Sequence, residues 1–348
     1  MKSDRQLPIT THMRLVPTAD FPEGVTLAMD LPTRPGHDHL PRGGAVLDED
    51  DRAELLECGI RRIYIEDELS RDIEVPLALS DATREAARAA VGRAVTDSRR
   101  MPGDLLAYER LQELKLAAAG IVSEIERLPH APYAFADLAS ADAYRIEHSI
   151  DATVVGLLIG HRLGLENDLL HQLGLGLFLQ DIGTLALPPS ILHKPGPLAD
   201  DELELMRRHP VRGLDLLRGG EIDEPARSVV RSHHERWDGR GYPSGLAGEE
   251  IPLFARIAAV ADVFDAVTSE RHHSPAGSQQ AGVAAVQAAA GAALDPELVE
   301  VFCEVVVPHP PGSAIELPAG GTGVVASVTA EGPVVRVAGV DVAIALAA

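Results

Sequence analysis

His233-His234-Glu235-Arg236-Trp237-Asp238-Gly239-Arg240-Gly241-Tyr242-Pro243, followed by an apolar segment carrying Arg256, Asp262 and Asp265 and ending at Arg271, is the stretch around which this sequence is organised. Two adjacent imidazoles, a glycine-rich turn and downstream carboxylates can gather round one metal cluster. Zn, Mn and Fe accept mixed nitrogen and oxygen donors, whereas Mg and Ca ask for oxygen alone. The constellation points to a hydrolase that cuts phosphate esters. Gly239 and Gly241 permit tight backbone beside a ligand, and Pro243 fixes the exit from the turn. Tyr242 can pack or hydrogen-bond beside the site. Asp262 and Asp265 share a helical face at i, i+3, so one can ligate while the other orients a ligand or Arg271. Trp237 is the only tryptophan and is read as core packing.

The composition narrows the classes of function. With 348 residues, 45% of them apolar, the chain can bury a sizeable core and has room for more than one domain. A formal net charge of −22 argues against duplex DNA or an anionic membrane as general partners, since both demand a basic footprint. No run of about 20 apolar residues appears and Met1 to Thr11 lacks a signal-peptide core, so the expected location is cytoplasmic. Cys58 and Cys303 match neither zinc-ribbon nor redox spacing and are read as small apolar residues.

From Met13 to Ile73, short apolar runs such as Val25 to Met29 and Arg62 to Ile65 alternate with turn-rich stretches, which predicts a small β-containing module. Asp48 caps a short helix within it that stops at Gly59. Lead-in helices are expected over 82–94 and 105–128, then further helices over 141–163, 168–179, 200–217, 226–236 and 252–268. Another helical region spans 276–307 and opens on Ser278. Beyond Pro311 the alternation of Val324, Ala326 and Val328 and the run Val334 to Val337 predict a strand-rich tail.

Several motifs occurring in one order carry a resemblance. They are His148-Ser149, Gln180-Asp181-Ile182-Gly183-Thr184, Leu192-His193-Lys194-Pro195-Gly196, Arg208-His209-Pro210, the block from His233 to Leu246, and Ala261-Asp262-Val263-Phe264-Asp265-Ala266. The chain from Tyr144 to Pro310 resembles the HD-GYP family, a branch of the HD-domain metal phosphohydrolases associated with cyclic di-GMP breakdown. The resemblance implies metal ligands at His148, Gln180, Asp181, His209, His233, His234 and Asp262. Asp181 can bridge two cations with its two oxygens. Two metals a few Å apart lower the pKa of a shared water and clamp the attacking and leaving oxygens of an in-line displacement. His233 and His234, about 100° apart on a helix, can face different metals.

This sequence departs from the family pattern at identifiable positions. Gln180 stands where the family places the histidine of its name-giving His-Asp pair, and an amide oxygen is a poor substitute for imidazole on borderline metals. Thr184 replaces a lysine placed near the scissile phosphate, and losing a cation there removes on the order of 3 kcal/mol of transition-state stabilisation. After Arg271 the chain has His272, His273 and Ser274, without the basic companion that the family often carries. Tyr144 occupies the place of a glutamate that supports a third metal in some members, so the ceiling is two ions. Glu147 is expected to be solvated, His171 and His161 to stay out of the cluster, and Lys194 to shape a loop.

The expected fold is mainly α: an HD-type helical bundle at 131–311, preceded by a β-containing module at 1–78 and a helical lead-in at 79–130, and followed by a β-rich extension at 312–348. The expected function is a metal-dependent cyclic di-GMP phosphodiesterase of reduced activity, using one or two Fe or Mn ions, with Zn as a further option. Its expected catalytic residues are Asp181 and Thr184, and its substrate-binding residues Arg271, Asp265, Gly241, Tyr242 and Pro243. The alternatives are an inactive domain that binds cyclic di-GMP or a protein partner, and a hydrolase of another phosphate ester. A homodimer is left open.

Overall fold

The computed structural model describes residues 9–31, 39–100, 106–128, 144–192, 194, 196–269, 277–317, 320–329 and 332–343. Its N-terminal part is built on two small antiparallel sheets. Strand β1 (Ile9–Thr11) pairs with β5 (Glu74–Pro76), and β4 (Arg62–Glu66) lies between β2 (Arg14–Pro17) and β3 (Thr26–Leu27). Helix α1 (Glu49–Glu57) starts where the sequence places it, because Asp48 accepts from the backbone N–H groups of Asp50 and Asp51 at 2.9 and 3.0 Å and Asp51 returns the bond. Phe21, Leu27, Leu47, Leu55, Ile63 and Ile65 pack between helix and sheet.

The central body is helical. Helices α2 (Asp81–Arg100) and α3 (Tyr108–Ile125) share one apolar core with α4 (Tyr144–Arg162), α5 (Asn167–Leu179), α9 (Glu224–Ser232) and α10 (Leu253–Thr268). Ile121, Val155, Leu173, Val229 and Ala258 are fully buried in it. The short α6 (Pro189–Leu192) leads to α7 (Asp200–Met206) and α8 (His209–Leu216). The single helix expected over 200–217 is therefore two. Pro210 sits in the first turn of α8 and has no N–H to donate to the Met206 carbonyl, which its ring also crowds, so the helical ladder is interrupted at Arg207 and Arg208. The region 276–307 likewise divides into α11 (Gln279–Ala289), capped by Ser278, and α12 (Pro296–Val305), with Gly291 at φ +73° and Pro296 marking the gap.

The C-terminal strands β6 (Ala314–Glu316), β7 (Thr322–Thr329), β8 (Gly332–Val337) and β9 (Val340–Ala343) form one antiparallel sheet in that order. Simple alternation fails in β7, where a register shift between Val325 and Ser327 buries both Val324 and Val325. Val325 packs within its own sheet with Ile315 and Val335, and Val324 packs on Met13, Tyr64, Ile73 and Val75. The N-terminal strands and the C-terminal sheet thus pack together. Arg62 on β4 donates to the carbonyls of Thr268 and Gly277, both at 3.1 Å, which ties the N-terminal sheet to the end of α10.

Candidate metal centre

Five chain segments converge on one point. His148 lies one turn into α4, Gln180 caps the C-terminus of α5 with Asp181 after it, His209 opens α8, His233 caps the end of α9 with His234 beyond, and Asp262 lies in α10. The expected placement of the two adjacent histidines within a helix is corrected: α9 ends at Ser232, and the turn that follows aims both inward. Gly183, in the 3-10 turn Ile182–Ala186, allows this closeness. A β-carbon there would lie 1.9 Å from the His209 carbonyl oxygen and 2.4 Å from the Gly213 nitrogen, so only glycine lets the Asp181 turn lie on α8.

Asp181 stands at the centre with its two oxygens facing different donors. Oδ1 lies 3.2 Å from His209 Nε2 and 3.7 Å from His233 Nε2, while Oδ2 lies 3.3 Å from His148 Nε2. Asp262 Oδ1 is 3.4 Å from the same His148 nitrogen. Ligand atoms of Asp181, His209, His233 and His234 all fall within 4.8 Å of one another. The Asp181 and Asp262 side chains keep 30% and 25% of their surface accessible while His148 and His233 keep 3% and 1%. The imidazoles form a floor and the carboxylates face the opening.

The hydrogen bonds behind the rings set their tautomers. His148 Nδ1 lies 2.6 Å from Asp265 Oδ2, His209 Nδ1 lies 2.9 Å from the Met206 carbonyl, and His233 Nδ1 lies 3.0 Å from the Val229 carbonyl. Each of these partners accepts, so each Nδ1 carries a proton and each Nε2 faces the centre, where it offers a lone pair once it is itself deprotonated. His209 Nε2 and His233 Nε2 are only 3.1 Å apart. Two facing lone pairs at that distance need a proton or a cation between them. Burial, with the neighbouring imidazoles, pushes His233 down to about 3 and His234 down to about 4, leaving both neutral as ligands must be. For His209 burial opposes the charge, but the Asp181 carboxylate outweighs it and raises the pKa. Burial likewise pushes Asp181 up, yet its bonds to His148 and His209 prevail and hold it well below the usual carboxylate range.

These residues fit a divalent metal. The donors are imidazole nitrogen and carboxylate oxygen, they converge, and the buried Oε1 of Gln180 has no hydrogen-bond partner among the described residues. The amide of Gln180 itself approaches His148, with Nε2 3.2 Å from the ring Nε2, and so competes for the lone pair that Asp265 directs inward.

The block from Glu235 to Leu246 forms one wall of an open cleft of about 260 Å³ above the cluster, lined among others by His233, His234, Tyr242, Asp262, Arg207 and Arg240. Tyr242 lies with its ring centroid 4.8 Å from that of His234. Gly241 has no room for a side chain, because a β-carbon would lie 2.4 Å from the Arg236 nitrogen. Glu235 holds the loop from beneath, accepting from the backbone N–H groups of Ser244 at 2.7 Å and Leu246 at 3.1 Å. Trp237 is only half-buried, with the Arg256 guanidinium 5.8 Å from its ring centroid.

Other expectations fare differently. Asp265 is corrected from substrate contact to a buried position behind His148, where it also accepts from the Ser269 hydroxyl at 2.8 Å. The Thr184 hydroxyl donates to the Asp181 carbonyl at 2.8 Å, so it is engaged with backbone instead of facing a substrate. Glu147 is not solvated: it is 4% exposed and is gripped by Arg84 at 2.9 Å and Arg88 at 2.5 Å from α2. His171 is exposed near Glu126, and Lys194 pairs with Glu202. Arg271, with His272, His273 and Ser274, lies outside the described residues. The sequence reading missed Glu235 and Arg207; only their nearness to the two histidine motifs hinted at either.

A helical bundle that brings an imidazole and carboxylate cluster to the ends of several helices defines an HD-type metal site, and residues 74–298 match the family described as HD domain. The cyclic di-GMP phosphodiesterase PA4108 of Pseudomonas aeruginosa is 32% identical over 313 residues, covering 83% of this chain and 75% of that protein. The response regulator RpfG of Xanthomonas campestris, also a cyclic di-GMP phosphodiesterase, is 32% identical over 284 residues, covering 80% of this chain and 71% of that one. A cyclic di-GMP phosphodiesterase of Thermotoga maritima is 34% identical over 149 residues, covering 42% and 40% respectively. The chain belongs to the HD-GYP family of HD-domain phosphohydrolases. No helix among the described residues is long and apolar enough to cross a membrane.

Proposed function

We propose that this protein is a metal-dependent phosphodiesterase acting on cyclic di-GMP, with turnover reduced by Gln180 and Thr184. The observation that carries the reading is the position of Asp181, whose two oxygens address two separate donor sets at 3.2 and 3.3 Å. His209, His233 and His234 would hold one ion with Oδ1; His148 and Asp262 would hold a second with Oδ2, leaving Gln180 as the weak donor of that pair. Bound at these donors, divalent cations supply charge neutralisation at the phosphoryl oxygens and lower the pKa of a water. The chain's own groups do the rest. Asp265 fixes the tautomer of His148, Glu235 holds the loop that shapes the cleft wall, and Tyr242 packs over His234 where a nucleotide would enter.

Activity is reduced because one donor competes instead of contributing and because the Thr184 hydroxyl brings no positive charge to the developing phosphorane. Purified protein supplied with Mn(II) or Fe(II) and cyclic di-GMP should release linear dinucleotide or GMP slowly and only with metal. Absence of product at every metal concentration rejects the reading. One observation favours a second reading, binding without turnover: the Gln180 amide rests on the nitrogen that His148 would need for a metal. Calorimetric binding of cyclic di-GMP by protein that makes no product would support it.

A further inference from the structure

We infer that Arg207 and Arg240 form a phosphate grip on the rim of the cleft, holding the second phosphate of a cyclic dinucleotide while the first lies over the Asp181 cluster. The inference rests on the substrate proposed above and adds the residues that recognise it. Both arginines line the cleft. Arg207 sits at the break between α7 and α8 that Pro210 enforces, and its guanidinium lies 5.6 Å from the Tyr242 ring centroid. Tyr242 in turn covers His234, so Arg207 stands one aromatic ring away from the cluster.

What sets these two apart is the lack of a carboxylate partner among the described residues. Neighbouring arginines are taken: Arg208 pairs with Glu204 at 2.7 Å, Arg236 with Asp238 at 2.7 Å, and Arg256 with Asp295 at 2.6 Å. Arg240 donates its backbone N–H to Asp238 at 3.1 Å and its charge helps hold that carboxylate down, but Asp238 is bound by Arg236 and the Arg240 guanidinium makes no ion pair among the described residues. In a chain of net charge −22, two guanidiniums that line a metal cleft and make no ion pair among the described residues are available to an external anion. The planar fork of arginine suits a phosphate, which it can bind through two parallel hydrogen bonds. The cleft is open on the side these two side chains line, so a ligand seated over the cluster and larger than a single phosphate can extend past them.

Arg207→Ala and Arg240→Ala should be compared on metal-loaded protein with cyclic di-GMP and with bis(4-nitrophenyl) phosphate, which has one phosphate. Binding of a non-hydrolysable phosphorothioate cyclic di-GMP should be measured at low and high salt. Each substitution is expected to raise KM and Kd for the cyclic dinucleotide about tenfold, with kcat within about threefold, and to flatten the salt dependence. The loss on the single-phosphate diester should be about tenfold smaller, and Arg207→Lys should recover part of the binding. Arg208→Ala, which makes the same change in net charge outside the cleft, should stay within about twofold. Equal losses on both substrates, or effects no larger than those of Arg208→Ala, overturn the grip. If wild-type protein binds the cyclic dinucleotide but both substitutions leave that binding unchanged, the grip alone fails. If wild type cleaves the simple diester yet never binds cyclic di-GMP, the substrate reading fails and the grip with it.

Discussion

Asp265 Oδ2 lies 2.6 Å from Nδ1 of His148, the ring nitrogen opposite the one that faces Asp181. A buried carboxylate in that place fixes the Nδ1–H tautomer and makes the outward nitrogen a better donor. Asp265→Asn keeps the shape and removes the charge, and it should lower metal affinity by roughly 10 to 100-fold. Competition against a fluorescent chelator measures this. Wild-type affinity in the variant would show that Asp265 serves only packing.

The pH dependence of metal binding follows from which imidazoles carry protons in the metal-free protein. His233 and His234 are already neutral above about pH 5, with values pushed down to about 3 and about 4. His209 is raised by Asp181 and must give up its proton before Nε2 can coordinate. Affinity should therefore climb as pH rises through the raised His209 pKa and fall on the acid side, with proton release on binding. Calorimetry in buffers of different ionisation enthalpy measures that release; a pH-independent affinity between pH 6 and 8 contradicts the assignment.

Gln180→His restores an imidazole where a buried amide now sits against His148. Metal content should rise, and turnover should rise with it. Adding Thr184→Lys should raise kcat further, by about 10 to 100-fold, if the missing cation is the remaining defect. Metal analysis and product formation on the same preparations separate the two effects. A double variant that stays metal-free while folded would place the metal elsewhere.

Gly183→Ala puts a methyl group 1.9 Å from the His209 carbonyl oxygen. Because that neighbour is backbone, the contact can be relieved only by moving the Asp181 turn away from α8. The expected cost is about 1–3 kcal/mol or more of stability, read by chemical denaturation, together with lost metal binding in whatever remains folded. Unchanged stability and metal content would mean that the turn does not pack as described.

Much of this was legible in the sequence, for reasons that particular residues make plain. The ordered motifs marked His148, Asp181, His209, His233, His234 and Asp262 for one cluster, and the described structure gathers them. Asp48 and Ser278 announced their helix starts because capping is a local hydrogen-bond requirement. What failed was long-range or depended on which atom points where. Glu147 looked solvated because the two arginines that bury it, Arg84 and Arg88, arrive from 63 and 59 residues away. Periodicity put Asp262 and Asp265 on one face of α10 but could not tell that one meets the ring from the front and the other from behind. Arg207 was hidden inside an expected continuous helix, and only the break at Pro210 gives it a place beside Tyr242.

Asp181 is the carboxylate whose two oxygens face both donor sets, and losing it should empty the centre. The most direct test of this role is the metal content of protein reconstituted with Mn(II) or Fe(II) and desalted, measured by mass spectrometry for wild type and Asp181→Asn with matching circular dichroism. Wild type should retain one to two ions per chain and Asp181→Asn close to none. A folded wild type without metal, or a variant that holds as much as wild type, would contradict it.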